Sequence, residues 1–341
     1  MRLLRDTLAI LIAASCFLGG CKDEPETPTL VLEGNDVLIS NEGNFGWGEG
    51  SLSLYNPTTK SVQNDVFRTK NGQGIGNVFQ SISYHNNQYF FVVNNSNKIV
   101  LTSDSFQQTN EIIGLTSPRY FYKVADHKAY VTDLYSKSIS VVDMKSLTVS
   151  SEIEMNGWTE KGVIVNNEFW VVNVESKYIY IIDIASDAVT DSIEVRFAPE
   201  SIIQDSNGTI WILSKGDEVN SKQPSLAAVN AVNKKFIKEI TLNGLPTNLI
   251  YDEQLNQMYF LNSGIYSMPA DTASRPEVWL ESNNNNNFYG LGVNPSNNEV
   301  YVSDIHDFVQ KSTIYRYSSQ ANLLDEFKTG IIAGNFFFHQ K

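Results

Sequence analysis

The fold is decided by residues 129–143, AYVTDLYSKSISVVD, and by their counterpart at residues 169–183, FWVVNVESKYIYIID. Each stretch opens with four mainly apolar residues followed by Asp133 or Asn173, passes through a short polar turn, and enters a second apolar run. Paired runs of β-branched and aromatic residues around a turn predict a β-hairpin. Because the runs are continuously apolar rather than alternating, we expect strands that are packed on both faces.

The opening pattern of these stretches occurs seven times. The copies end at residues 41, 94, 133, 173, 214, 262 and 304. The gaps between them are 53, 39, 40, 41, 48 and 42 residues, and a period near 40 is what four short strands with their turns require. Further predicted strands lie before and after most copies. The sequence therefore predicts an all-β, seven-bladed β-propeller.

The first repeat lacks one predicted strand, and the end of the chain supplies one in excess. The first copy, residues 37–41, has no strand before it, whereas residues 334–338 (GNFFF) form an apolar segment after the seventh repeat. Closing a propeller with its terminal strand pairs edges that would otherwise be exposed. We therefore expect the C-terminal strand to be the innermost strand of the first blade, in a propeller that spans residues 36–341.

The N-terminal segment indicates export and lipidation. A basic start precedes a short apolar run that ends in Leu-Gly-Gly-Cys at residues 18–21. Small residues before a cysteine are typical of the bacterial lipobox, in which the thiol receives a diacylglycerol and the leader is removed. This predicts a signal peptide at residues 1–20, lipidation of Cys21 and a flexible polar tether over residues 21–35. An ordinary secretory leader with an incidental cysteine is the alternative.

Charge and cysteine content argue against several function classes. The formal net charge is −13 at pH 7, and no cluster of Lys and Arg offsets it, so nucleic-acid binding is not expected. Cys16 and Cys21 both precede the propeller, which leaves the domain without a disulfide or a thiolate metal site. The four histidines form no metal-binding motif, and no serine has a nucleophile-elbow context. We expect no metal, no cofactor and no catalysis.

The paired stretches resemble the YVTN (YncE-like) repeat of seven-bladed propellers. Residues 41–46 (NEGNFG), 117–120 (SPRY) and 315–334 are also similar to surface lipoprotein propellers of Bacteroidota. That group includes the cobalamin-binding partners of TonB-dependent vitamin B12 transporters. The resemblance implies a lipoprotein of the outer membrane that is exposed at the cell surface, a corrinoid (cobalamin) as ligand, and a TonB-dependent outer-membrane transporter as partner.

The predicted binding surface is the face that carries the loops after each second strand and before the next first strand. On this face we expect ligand-binding residues with aromatic, amide and charged side chains. They are Asn44, Phe45, Trp47, Asn94, Arg119, Tyr135, Trp158, Glu160, Glu175, Glu200, Asn248, Tyr289 and His306.

Three of these residues have an alternative, purely structural role. Trp47 lies in a glycine-rich loop and offers a flat surface for stacking, or it folds back with Phe45 as a loop plug. Arg119 meets a polar group of the ligand, or it ties neighbouring blades together. His306 ligates cobalt or responds to pH, or it is simply solvated.

Three functions remain open from the sequence. The first is capture of a nutrient, with a corrinoid as the best single ligand, which needs only shape, stacking and hydrogen bonds. The second is a protein-interaction or surface-layer scaffold without a small ligand. The third is a propeller that binds or cleaves glycans, since the fold could bring together paired acids such as Glu160 and Glu175.

Overall fold

The computed structural model describes residues 35–283 and 285–339. The predicted signal peptide, the predicted lipidation site at Cys21 and the predicted tether as far as residue 34 lie outside the described residues. In the described part, 28 strands form seven sheets of four strands, and each sheet is one blade. The prediction of an all-β, seven-bladed propeller is confirmed.

Blades 1 to 4 contain the first 15 strands. These are β1 (Val37–Asn41), β2 (Ser51–Asn56), β3 (Ser61–Gln63), β4 (Phe79–His85), β5 (Gln88–Val93), β6 (Lys98–Thr102), β7 (Gln108–Ile112), β8 (Pro118–Ala125), β9 (Lys128–Asp133), β10 (Ser138–Asp143), β11 (Thr148–Glu154), β12 (Thr159–Val165), β13 (Glu168–Asn173), β14 (Tyr178–Asp183) and β15 (Ala188–Glu194). A short helix, α1 (Val66–Asn71), follows β3, and a 3₁₀ turn (Asn94–Ser96) follows β5.

Blades 5 to 7 and the closing strand take the remainder. These are β16 (Pro199–Gln204), β17 (Thr209–Ser214), β18 (Ser225–Asn230), β19 (Phe236–Thr241), β20 (Thr247–Asp252), β21 (Gln257–Leu261), β22 (Gly264–Pro269), β23 (Glu277–Glu281), β24 (Phe288–Val293), β25 (Val300–Asp304), β26 (Lys311–Tyr317), β27 (Leu323–Ile331) and β28 (Ala333–Phe338). Blade 1 contains β28, β1, β2 and β3 from the channel outward, and blades 2 to 7 each take the next four strands in chain order.

The second strand of each blade lies in the core because both of its faces are covered. In β13 of blade 4, Phe169 packs with Tyr130 of blade 3. The next residue, Trp170, packs in the opposite direction with Ile210 and Ile212 of blade 5. This two-sided burial explains why the repeated segments are continuously apolar.

The C-terminal strand closes the ring. β28 pairs antiparallel with β1, with Phe337 opposite Leu38. On one side of β28, Phe336 packs on Tyr301 of blade 7, at 6.0 Å between ring centroids. On the other side, Phe337 packs edge to face on Tyr89 of blade 2, at 5.8 Å. The predicted closure of the first blade by the terminal strand is confirmed.

The antiparallel order places two sets of connections on opposite faces. The loops between second and third strands, and those that lead into the next blade, share one face, which we call the loop face. The turns between first and second and between third and fourth strands form the opposite turn face. Asp133, the polar residue that ends the second strand of blade 3, stabilises the loops on both sides of it on the loop face. Its carboxylate accepts hydrogen bonds from the backbone N–H groups of Ser117 (2.6 Å), Tyr135 (2.8 Å) and Ser136 (2.7 Å).

Removal of β28 tests this closure. A chain that ends at Gly330 is expected to lose cooperative folding, because β1 becomes an exposed edge and the aromatic contacts of Phe336 and Phe337 are lost. A chain that ends at His339 keeps the strand and is expected to melt within about 2 °C of the full chain. Thermal unfolding followed by circular dichroism measures both. An unchanged melting temperature for the shorter chain would contradict closure by β28.

Candidate ligand-binding face

Every first strand carries a β-bulge near its loop-face end. In β8, Pro118 pairs with Asp133 and Phe121 pairs with Val131, so the residues between them have no cross-strand partner. A bulge bends the strand locally, so a side chain within it points in a different direction from the one that regular pairing would give it. In each first strand the second residue lies in the bulge. These seven residues, which we call the channel ring, are Gln80, Arg119, Glu160, Glu200, Asn248, Tyr289 and Gly334.

Arg119 links three consecutive blades through the channel ring. Its guanidinium donates to the Glu160 carboxylate of blade 4, with Nε–Oε1 at 2.8 Å and Nη2–Oε1 at 2.7 Å, and it also donates to Gln80 of blade 2. The Trp158 indole donates to the same Glu160 oxygen at 2.7 Å, and Arg119 lies 5.8 Å from the centre of that indole. Burial opposes the charge on Arg119, but the neighbouring Glu160 raises its pKa overall. The blade-tying role of Arg119 is the one that the structure displays.

The other half of the channel ring is joined by hydrogen bonds. The Asn248 side-chain amide donates to the Tyr289 carbonyl at 2.6 Å, and the Asn248 backbone N–H donates to Glu200 at 3.0 Å. Lys161 of blade 4 donates across the channel to Asn248 at 3.3 Å. The contacts of Asn248 therefore join blades 4, 5, 6 and 7 at the loop-face end of the channel.

A carboxylate from blade 1 fills the one position of the channel ring that lacks a side chain. A Cβ atom on Gly334 would lie 2.7 Å from the Glu42 carboxylate, so glycine is required for Glu42 to enter. Glu42 accepts a hydrogen bond from the Tyr289 hydroxyl at 2.9 Å. Burial raises the pKa of Glu42. Burial, and to a smaller extent the nearby Glu42 carboxylate, raises the pKa of Tyr289.

Three predicted aromatic residues project from the loop face. Trp47 is 95% exposed, Phe45 is 70% exposed and Tyr135 is 69% exposed. Phe45 and Trp47 thus do not fold back as a plug. Exposed aromatic rings are flat, rigid surfaces that suit stacking with a ligand.

Four other predicted residues lie outside the channel ring. Asn94 is buried and donates to the Pro118 carbonyl at 3.0 Å, which ties blade 2 to blade 3. The carbonyl of Asn44 accepts the Trp47 and Gly48 N–H groups, and Glu175 lies 3.4 Å from the Trp158 backbone nitrogen.

The fourth of these residues, His306, contacts the outer strands of blade 7. Its Nε2 lies 3.0 Å from the Thr313 hydroxyl and 3.3 Å from the Lys328 ammonium, and its Nδ1 lies 3.4 Å from Asp304. These partners direct the imidazole away from the channel ring.

The structure brings together Arg119, Trp158, Glu160, Glu200, Asn248 and Tyr289 among the predicted residues. Sequence reasoning did not include Gln80, Gly334 or Glu42 among the expected ligand-binding residues. A usable signal existed, because six members of the channel ring lie 13 to 15 residues before the residue that ends the second-strand pattern of the same repeat.

The described residues contain neither a metal-binding cluster nor a membrane-spanning helix. Nowhere in the described part of the chain do three or more His, Cys, Asp or Glu side chains cluster in a way that could hold a metal ion. Within residues 35–283 and 285–339, no helix combines the length and apolar character needed to cross a membrane.

Comparison with known sequences places the chain in a family. Residues 35–332 match the family described as Domain of unknown function (DUF5074). The chain belongs to the DUF5074 family. No curated protein matches the sequence.

Solved structures share the fold of this DUF5074 chain at low sequence identity. A quinonprotein alcohol dehydrogenase-like protein from Bacteroides thetaiotaomicron has a TM-score of 0.71 and 13% identity, over 90% of this chain and 78% of its own. A putative 6-phosphogluconolactonase from Bacteroides fragilis has a TM-score of 0.65 and 12% identity, and the match covers 89% of this chain and 97% of the lactonase chain. The dihydro-heme d1 dehydrogenase NirN has a TM-score of 0.63 and 9% identity, and the match covers 92% of this chain and 77% of the NirN chain. Their different names show that the likeness is one of fold alone.

The Arg119–Glu160 pair is expected to stabilise the propeller. The side chains are only 18% and 6% exposed, so removing one partner leaves the other without its counter-charge. Arg119→Gln and Glu160→Gln should each lower the free energy of unfolding by about 3 kcal/mol, and the double variant should cost less than the sum. Urea unfolding measures all three. The matched control is the exposed Lys177–Glu194 pair, where solvent screens the charges and the change should be much smaller. Additive effects at Arg119 and Glu160 would contradict the coupling.

Glu42 is expected to make stability depend on pH. Because burial raises the pKa of Glu42 in the folded state, the folded protein favours the protonated carboxyl group. The stability that this protonated form contributes is present below pH 4.5 and is lost as the pH rises through the raised pKa of the folded state. Glu42→Gln keeps an acceptor for Tyr289 without the charge. Its stability relative to the parent protein should therefore increase between pH 4 and pH 8, as measured by urea unfolding. The exposed Glu154→Gln serves as control, and an equal response of both variants to pH would argue against a raised pKa.

Proposed function

We propose that this DUF5074 protein captures a small nutrient on its loop face and catalyses no reaction. The best candidate ligand is a corrinoid, which the protein passes to a TonB-dependent outer-membrane transporter. The single observation that best supports this is the exposure of Trp47, Phe45 and Tyr135 on the face where the channel ring presents its polar groups. Aromatic surfaces beside a few fixed polar groups are typical of small-molecule sites.

The chemistry of a corrinoid suits this combination of groups. Its macrocycle is broad and nearly flat, so it can stack on exposed aromatic rings. Its rim carries primary amides, which both donate and accept hydrogen bonds. Glu42 and Glu200 offer acceptors for such amides, and Arg119 offers a donor. No bond has to be broken for capture.

The loop that carries Trp47 is held in place before any ligand arrives. The N–H groups of Trp47 and Gly48 both donate to the Asn44 carbonyl, at 3.0 and 2.9 Å. At the end of the loop, Glu49 pairs with Arg68, and the Gly50 N–H donates to the Gly76 carbonyl at 2.7 Å. A preorganised aromatic group loses little conformational freedom on binding, which favours affinity.

The cellular part of the proposal rests on the sequence. The lipobox that ends at Cys21 would anchor the protein in the outer membrane, and the similarity to Bacteroidota surface lipoproteins supports exposure at the cell surface. From that position a captured nutrient could pass directly to a transporter in the same membrane.

A scaffold function is the second candidate, and one observation favours it. The loop face also carries exposed aliphatic side chains that no small ligand requires. Val219 is 93% exposed, Ile113 is 64% exposed and Leu245 is 62% exposed. A spread of apolar groups of this kind is also found where another protein docks.

Binding of cyanocobalamin tests the proposal. The purified protein should bind it in a 1:1 complex with a Kd in the micromolar range or below, measured by isothermal titration calorimetry. Trp47→Ala should raise the Kd about tenfold, because one stacking contact is lost. Its melting temperature should not change, since Trp47 is 95% exposed.

Phe236→Ala is the matched control, because this aromatic residue is 47% exposed on an outer strand of blade 5. It should leave the Kd unchanged. The absence of cyanocobalamin binding at micromolar concentration would rule out the corrinoid, whereas binding that is unaffected by Trp47→Ala would exclude this part of the loop face.

A further inference from the structure

The channel has a second mouth, on the turn face, at the end of the first strands opposite the channel ring. A cavity of about 710 Å³ lies there. Its walls come from the ends of first strands in four blades: Tyr84 of blade 2, Tyr251 of blade 6, Val293 of blade 7 and Phe338 of blade 1. We call it the lower cavity. Its volume falls within the range of small-molecule sites.

The wall of the lower cavity is aromatic and firmly supported. Phe337 and Phe338 line the cavity and are partly exposed. Behind them, Phe337 packs edge to face on Tyr89, and Phe338 packs on Tyr301 with ring centroids 5.4 Å apart. Because Tyr89 and Tyr301 are fully buried, the two phenylalanine rings are fixed before a ligand binds.

The charged residues at the lower cavity are acidic. Asp252 and Glu253 are among the residues that line it, together with His339, and the described lining residues include no Lys or Arg. The Asp252 carboxylate is fixed by the Leu255 N–H, which donates to it at 3.0 Å. Glu253 is exposed at the same mouth. A cation that enters is therefore attracted by carboxylates and by the faces of aromatic rings, whereas an anion is repelled.

We propose that the lower cavity is a binding site for a planar aromatic cation, separate from the loop face. The ring system of such a ligand packs against Phe337 and Phe338, and its positive charge lies toward Asp252 and Glu253. This assignment does not depend on the proposed corrinoid function, because the groups involved lie at the other end of the channel and share no residue with the channel ring.

Two dyes of opposite charge test the site. The probes are thioflavin T, a planar aromatic cation, and 1-anilinonaphthalene-8-sulfonate, an aromatic anion. Thioflavin T should bind the full-length protein saturably with a 1:1 ratio, as followed by its fluorescence, and at least tenfold more tightly than the anion. Equal affinity of the two dyes, or no saturable binding of thioflavin T, would overturn the proposal.

Variants locate the dye. Glu253→Lys reverses an exposed charge at the mouth and should weaken thioflavin T binding at least fivefold. Glu218→Lys makes the same change on the loop face and should leave the affinity within twofold. Phe337→Leu, confirmed as folded by its melting curve, should weaken binding at least threefold. If Glu253→Lys and Glu218→Lys have equal effects, the dye does not bind in the lower cavity and the assignment is wrong.

Discussion

The pairing of β28 with β1 is the constraint on which the rest of the structure depends. It joins the last residues of the chain to the first blade and leaves Phe336 and Phe337 packed against blades 7 and 2. Only a closed ring brings seven first strands around one channel. The channel ring at the loop face and the lower cavity at the turn face are therefore both consequences of this single strand pairing.

Most of the fold could be predicted because burial on both faces leaves a strong pattern in the sequence. The seven second strands are apolar throughout, and their spacing gives the number of blades. The irregular gaps have local causes: α1 and the loop after it lengthen the first repeat, and a small hairpin bridged at Asp217 and Lys222 lengthens the fifth. Neither insertion disturbs the core, which is why the period was still recognisable.

The site was predictable only in part. The positions of Arg119, Glu160, Glu200, Asn248 and Tyr289 beside the channel were predictable because strand order alone places the starts of first strands there. Their mutual contacts were not predictable, since they depend on bulges that sequence patterns do not show. The entry of Glu42 into the position left by Gly334 is a further example, because it requires knowing which strand lies beside which after closure.

The central claim is that the propeller is one closed and cooperative ring, and native-state hydrogen exchange tests it most directly. If β28 and β1 close the ring, the paired amides in Val37–Asn41 and Ala333–Phe338 should exchange only through global unfolding, with the same opening free energy as those of β13 in blade 4. Faster exchange confined to blade 1 would show that this blade opens independently, and would contradict the account.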